Sequence, residues 1–413
     1  MEIFTGLFLS ALLAGTLLQL WLSGRQAAHV IANRDAVPAA FRDRISLQEH
    51  RKAAAYTLAK LAIERWRLVI GPLVLLVWTL GGLLGWLDGA WLALDLPPLW
   101  QGALLVLSVV LIDMLIDLPL ELWGTFGVES RFGFNRNTPG RFAKDKLLGL
   151  GLAVLLGLPL LLAILWLMDG AGAYWWAWAW LVWMGFTLFV TWAFPTWIAP
   201  LFNRFEPLDE GTLRSRLENL LARCGFKSNG MYVMDGSRRS AHGNAYFTGF
   251  GRNKRIVFFD TLLEGLEEEQ VEAVLAHELG HFKRKHILKM LLVSAAFSLA
   301  GLALLGWLSQ QPWFYTGLGV TRQSDALALV LFVLMMPVLT VFLAPLMAAF
   351  SRKHEFEADA FAAEQTQAQA LIDGLVNMYR DNASTLTPDP LYSAFHDSHP
   401  PAPVRIAHLS SKA

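Results

Sequence analysis

Residues 275–286 read LAHELGHFKRKH, and an apolar stretch at 287–308 follows at once. Nothing between His281 and Ile287 breaks a helix, so the expectation is one continuous helix that carries a polar motif and then enters a bilayer. Upstream, LEGLEEEQVEAVLA puts acids in the first turns and basic residues follow the motif, as the helix dipole favours. Leu262, Leu266, Val271, Val274, Leu275 and Leu279 supply an apolar face. His277 and His281 stand four apart, so both imidazoles leave the same side of the helix and can share one Zn²⁺. Glu278, between them, is placed to take a proton from a water that such an ion activates. On its own the motif is weak, because an exposed helix with incidental histidines reads the same way.

Composition argues for a membrane protein. The 413 residues are 55% hydrophobic and 16% charged, against about 25% charged in soluble domains, and the mean hydropathy is +0.42. Net charge is zero, which speaks against a nucleic-acid partner. Cys224 is the single cysteine, so intrachain disulfides and cysteine-rich zinc motifs are excluded. Seven stretches are long and apolar enough to span, near 4–24, 67–87, 99–122, 147–168, 174–198, 287–308 and 325–350. The first has no positive flank before it, whereas nine Lys or Arg lie between Arg25 and Arg67. It reads as a span with its N-terminus outside, not as a cleaved leader.

The loops fix an orientation. Segments 124–146, 199–286 and 351–413 carry five, thirteen and five Lys/Arg, while 88–98 and 169–173 carry none and 309–324 has Arg322 alone. All the positive segments fall on one side of a seven-span chain, which puts the catalytic segment in the cytoplasm. A third metal ligand must then lie an even number of spans from His281. Two spans on, the chain re-emerges as SRKHEFEADAFAAE, at 351–364. Glu355 is assigned as the ligand, with Asp359 one turn further as the carboxylate that orients a ligand histidine. His354 competes, but projects about 100° away around the helix.

The organisation that follows is mainly α. Spans one to five occupy 1–198, with cytoplasmic loops at 25–66 and 124–146. A cytoplasmic zinc-protease unit with a small β-sheet fills 199–286. Spans six and seven occupy 287–350, and a cytoplasmic segment at 351–413 completes the site. Within the protease unit, LDEGTLRSRLENLLARCGF reads as an amphipathic helix ending at Gly225. The runs MYVMD, NAYFTGF and RIVFFD read as short strands.

The chain resembles the type I CAAX prenyl proteases, integral-membrane zinc endopeptidases related to HtpX-type proteases. The resemblance rests on ESRFGFNRNTPGRFAKD, IAPLFNRFEPL, HGNAYFTGFG, AHELGHFK, SRKHEFEADAFA and HDSHPPAPVRI. It implies seven helices around a water-filled chamber capped by the zinc domain, with one Zn²⁺ per chain. It implies that Asn244, Ala245, Tyr246, Phe247, Thr248 and Gly249 form an edge strand pairing with an extended substrate. His399 matches the residue that stabilises the oxyanion, and Arg405 falls in the same motif, grouped with the substrate-binding residues or anchoring the segment.

In the third span, Asp113, Asp117 and Glu121 make an acidic stripe. Carboxylates facing lipid are costly, so the stripe is expected to line the chamber, a second metal site being the alternative. The expected activity is hydrolysis of extended or lipidated peptides at the cytoplasmic membrane surface. Rival readings are a general membrane-protein quality-control protease and a transporter or scaffold with a vestigial site. The intact Glu278 counts against the last. The expected partners are a peptide or protein substrate and the lipid bilayer. The chain is expected to be a monomer, in a bacterial inner membrane or, alternatively, the endoplasmic reticulum.

Overall fold

The computed structural model describes residues 2–248 and 255–411. Six helices are long and apolar enough to cross a membrane: Glu2–Asn33, Pro98–Phe132, Pro139–Gly170, Gly172–Phe202, His286–Leu308 and Asp325–Gln365. A seventh crossing exists if Leu47–Trp78 and Leu83–Leu92 are taken together, and these are bent by 48° at their junction. The second span is therefore broken where a single helix was expected over 67–87. Gly82, at φ +78°, supplies the left-handed turn that restarts the chain.

The outer surface of these helices carries large apolar side chains, among them Trp86, Leu155, Leu292 and Leu346 at 61–69% exposure. Such a surface is stable only against lipid. Their inner faces meet in a core that includes Trp78, Leu105, Phe314 and Leu331. A second core belongs to the protease unit. It joins Leu217 and Leu220 to Phe258, Val271, Leu275, Leu375 and Leu409.

The sheet of the protease unit has four strands: β1 Phe205–Pro207, β2 Met231–Met234, β3 Ala245–Thr248 and β4 Arg255–Phe259. Their order is β1-β2-β4-β3, with β2 and β4 parallel and the outer pairs antiparallel. The strand expected from NAYFTGF is thus at an edge. Gly249, the last residue assigned to it, lies outside the described residues.

The acidic stripe of the third span is spread over separate partners. Asp113 accepts a 2.7 Å hydrogen bond from Trp78 Nε1. Asp117 accepts from Arg67 Nε and Nη2, at 2.9 and 3.1 Å, and Glu121 pairs with Lys146. Asp113 and Asp117 border an apolar cavity of about 610 Å³ between the spans, and Glu121 is not among its lining residues. Each acid has its own counterpart, which leaves no shared ion site. Among the described residues, the one group of histidines and carboxylates close enough to hold an ion is His277, His281 and Glu355.

Candidate metal centre

The motif helix, Glu268–Lys283, starts in a capping box between Glu267 and Gln270. It is held from behind by Glu272, which accepts from Arg216 Nε at 2.6 Å and Arg223 Nη2 at 3.0 Å. Both arginines come from the amphipathic helix Thr212–Arg223. Facing it is the glutamate helix, Ala344–Gln365, which continues the seventh span. The two cross at Gly280. A Cβ built there would lie 2.9 Å from Ala358 Cα, closer than any side chain tolerates, so glycine sets the spacing of the crossing.

That spacing brings the three candidate ligands together. His277 Nε2 and His281 Nε2 are 3.2 Å apart; the first lies 3.4 Å from Glu355 Oε2 and the second 3.4 Å from Oε1. A tetrahedral ion with bonds of about 2.0–2.1 Å sets its ligand atoms about 3.3–3.4 Å apart. The three separations are of that size, the two histidines each meeting a different oxygen of the one carboxylate. Glu355 Oε2 is buried without a well-directed hydrogen bond, although His399 Nδ1 approaches it to 2.7 Å. A cation would satisfy it. The residues present fit a metal ion.

The outer nitrogens of both histidines are occupied, which leaves Nε2 free in each case. His277 Nδ1 lies 2.9 Å from Asp359 Oδ1. Asp359 is in turn gripped by both arms of Arg405, with Nε at 2.9 Å from Oδ2. Arg405 Nη2 also stands 3.4 Å from His277 Nδ1. Both are donors once Nδ1–H points at Asp359, so this is a packing contact. Burial opposes a charge on the metal-free His277 ring, but Asp359 and Glu355 outweigh it and push the pKa up to about 9.

Arg405, grouped with the substrate residues from its sequence, is only 7% exposed and faces the ligands' outer side. Glu278 is half-buried beside them, with no hydrogen bond or ion pair among the described residues. His399 sits at the Glu355 carboxylate and borders a polar cavity of about 570 Å³ lined also by Lys60, His242 and Tyr379. His354 lies outside that group; its ring stacks on His286 at 4.0 Å.

The motif helix does not run on into the sixth span. It ends at Lys283, Lys285 takes a left-handed φ of +58°, and a new helix starts at His286. In a continuous helix residue 286 would sit about 140° around from residue 281. The break folds it back, so that His286 Nδ1 stands 3.1 Å from His281 Nδ1 while its Nε2 meets Glu357 Oε2 at 2.9 Å. One hydrogen lies between the two Nδ1 atoms. If His281 uses Nε2 for a metal, it must donate Nδ1–H, and His286 then carries its own hydrogen on Nε2 towards Glu357. Sequence reading missed His286 and Glu357; the H-x₄-H spacing from His281 was the available signal.

The edge strand packs against the motif helix, with the Phe247 and Phe282 rings 6.2 Å apart. Phe259 N donates to Asn244 O, so in the antiparallel ladder residues 244, 246 and 248 turn towards β4. Ala245 and Phe247 turn their backbone groups outward. The outward N–H of Ala245 is met by the Asn244 side-chain oxygen at 2.8 Å. The turn before the strand is anchored by His242, which lies against Glu129, Tyr56 and Asn382 and stacks on Phe134 at 4.3 Å.

Residues 26–204 match the family described as CAAX prenyl protease N-terminal, five membrane helices, and residues 207–413 match peptidase family M48. The chain belongs to peptidase family M48. A CAAX prenyl protease 1 homolog of Caenorhabditis elegans is 32% identical over 406 residues, covering 91% of each chain. One from Arabidopsis thaliana is 35% identical over 309 residues, covering 73% of this chain and 71% of its own. The crystal structure of S. mikatae Ste24p superposes with a TM-score of 0.92 at 28% identity, covering 98% of both chains. This M48 chain is accordingly a multi-pass membrane metalloendopeptidase, and the transporter or scaffold reading falls away.

Proposed function

We propose that the chain is a zinc endopeptidase that cleaves CAAX-type, prenylated C-terminal peptides, with its site on the cytoplasmic side of the membrane. The observation that carries the metal assignment is the convergence of His277 Nε2, His281 Nε2 and the Glu355 carboxylate, with the nitrogens 3.2 Å apart and 3.4 Å from Oε2 and Oε1 respectively. Two imidazoles and one carboxylate, with a position left open, form a ligand set typical of catalytic zinc. The substrate class is supported by the CAAX prenyl proteases that this chain is similar to. The orientation is supported by the distribution of Lys and Arg between loops.

When bound, zinc would supply Lewis acidity, lowering the pKa of a water and polarising a peptide carbonyl. The chain's residues do the rest. Asp359, held by Arg405, fixes His277 in the tautomer that keeps Nε2 open, and the His286–Glu357 pair does the same for His281. Glu278, which no described residue engages, takes a proton from the attacking water and passes it to the leaving amine. His399, with 63% of its side chain exposed, has room to turn from Glu355 towards the carbonyl oxygen as charge develops there. Ala245 and Phe247 offer backbone groups that hold the substrate extended.

The test uses purified chain loaded with one equivalent of zinc and two peptides of equal sequence, one farnesylated and one not. Mass spectrometry should show loss of the three C-terminal residues from the farnesylated peptide. Cleavage of an unfolded, unlipidated protein with no turnover of either peptide would replace this reading with a quality-control protease.

A further inference from the structure

We infer that the face of the glutamate helix away from the metal holds an anionic phospholipid headgroup. A groove of about 780 Å³ opens there between the sixth-span helix and the glutamate helix. Arg284, Lys289, Arg352 and Lys353 line it against a single carboxylate, Glu357. Arg352 is committed to the backbone carbonyls of Ser393, Ala394 and Asp397. Among the described residues Lys289 has only a long contact to Glu357, at 3.7 Å, and Glu357 is already bonded to His286. Arg284 and Lys353 pair with no carboxylate among the described residues. Three cations thus face one open space with a single carboxylate, Glu357, among the described residues.

The occupant is read from what surrounds those cations. The groove lies where two crossings end, since the sixth begins at His286 and the seventh passes into the glutamate helix. Along that helix, Leu346, Ala349, Lys353, Phe356 and Ala360 recur at intervals of three and four, forming one stripe. Leu346, at its membrane end, is 66% exposed, and Leu288 and Leu292, flanking Lys289, are 49% and 61% exposed. The stripe therefore runs from bare apolar surface, past a small residue, to ammonium groups. A phospholipid has the same order: acyl chain, glycerol, phosphate. Soluble anions match only its charged end. Basic pockets between membrane helices recognise lipid headgroups by this combination.

The probe is dioleoyl phosphatidylglycerol, offered to the full-length, detergent-purified chain in an equal mixture with dioleoyl phosphatidylcholine. Native mass spectrometry should find the anionic lipid retained roughly tenfold in preference, and the Lys289→Gln/Lys353→Gln chain should lose most of that preference. Lys289→Arg/Lys353→Arg should keep it, which separates loss of charge from loss of fold; zinc content measured on each variant gives a second check. Equal retention of the two lipids by the native chain overturns the assignment, and so does undiminished preference in the glutamine variant. Inorganic phosphate at about 10 mM should leave the thermal unfolding temperature unchanged where phosphatidylglycerol raises it. If phosphate alone reproduces the rise, the groove is an ion site and the lipid reading fails.

Discussion

His281 Nδ1 stands 3.1 Å from His286 Nδ1, and the contact exists only because the motif helix breaks at Lys285. Behind it, Glu357 completes a His–His–carboxylate line that fixes the ring bearing one metal nitrogen. Groups behind a metal ligand typically contribute 10–100-fold in affinity. His286→Leu should therefore weaken zinc binding by roughly that factor while leaving the helices folded. Competition with a chromophoric chelator measures it. Unchanged affinity in His286→Leu would remove the relay from the mechanism.

Gly280 sets how near the two ligand-bearing helices come. Gly280→Ala drives a methyl group against the backbone of Ala358, an overpacking that costs about 1–3 kcal/mol where the backbone must shift. The shift separates Glu355 from the histidines, so zinc affinity should fall more than thermal stability does. A variant that loses stability but binds zinc normally would show the crossing to be structural only.

Chemistry and coordination separate by mutation. Glu278→Gln should keep about one zinc per chain and lose roughly 10²–10⁴ in turnover, because the proton acceptor goes and the ligands stay. His281→Ala and Glu355→Ala should lose the metal itself. His354→Ala should retain it, since its ring packs against His286 and Phe350. Zinc analysis on all four decides, and loss of metal from His354→Ala with retention in Glu355→Ala would reverse the ligand assignment.

The site was legible wherever helix periodicity carried it. The i, i+4 spacings of His277–His281 and Glu355–Asp359 place side chains on one face whatever the tertiary context. The count of spans between them put both faces on one side of the membrane. The break at Lys285 was not legible, because KRKH holds neither glycine nor proline and the left-handed residue is a lysine. The bend of the second span had a signal in Gly81–Gly82, within an otherwise apolar run that favoured continuity. Strand β1 was hidden by Pro207, which weakens any strand reading. The anchoring of His242 by Glu129 joins residues 113 apart, a relation no local pattern encodes.

Zinc binding should depend on pH through His277. Metal-free, its pKa is raised to about 9 by Asp359 and Glu355 against the cost of burial, and only the neutral ring can ligate. Below about pH 9 each binding event displaces a proton, so apparent affinity should fall about tenfold per pH unit. Above that value the dependence should flatten. The metal-free chain carries the opposite sign. A pKa raised above 6.5 contributes stability that is complete below pH 6.5 and lost as pH rises through about 9. Zinc titrations and unfolding curves between about pH 6 and 10 read both slopes. A pH-independent affinity from about 7 to 9 would contradict the arrangement around His277.

Strand addition at β3 makes a prediction about which substrate amides matter. Ala245 and Phe247 present their backbone groups away from β4, while the residues between them are spent on the sheet. An extended peptide beside such an edge can pair through every second residue only. Methylating substrate amides one at a time should therefore alternate in effect. Positions that face Ala245 or Phe247 should lose turnover by roughly tenfold or more, the value of a lost hydrogen bond plus the clash of the added methyl. Intervening positions should be cleaved nearly as before. The Asn244 side-chain oxygen that caps Ala245 N–H must swing aside for pairing, so Asn244→Ala should raise KM far less than methylation does. A methyl scan with uniform losses, or with none, would exclude pairing along this edge.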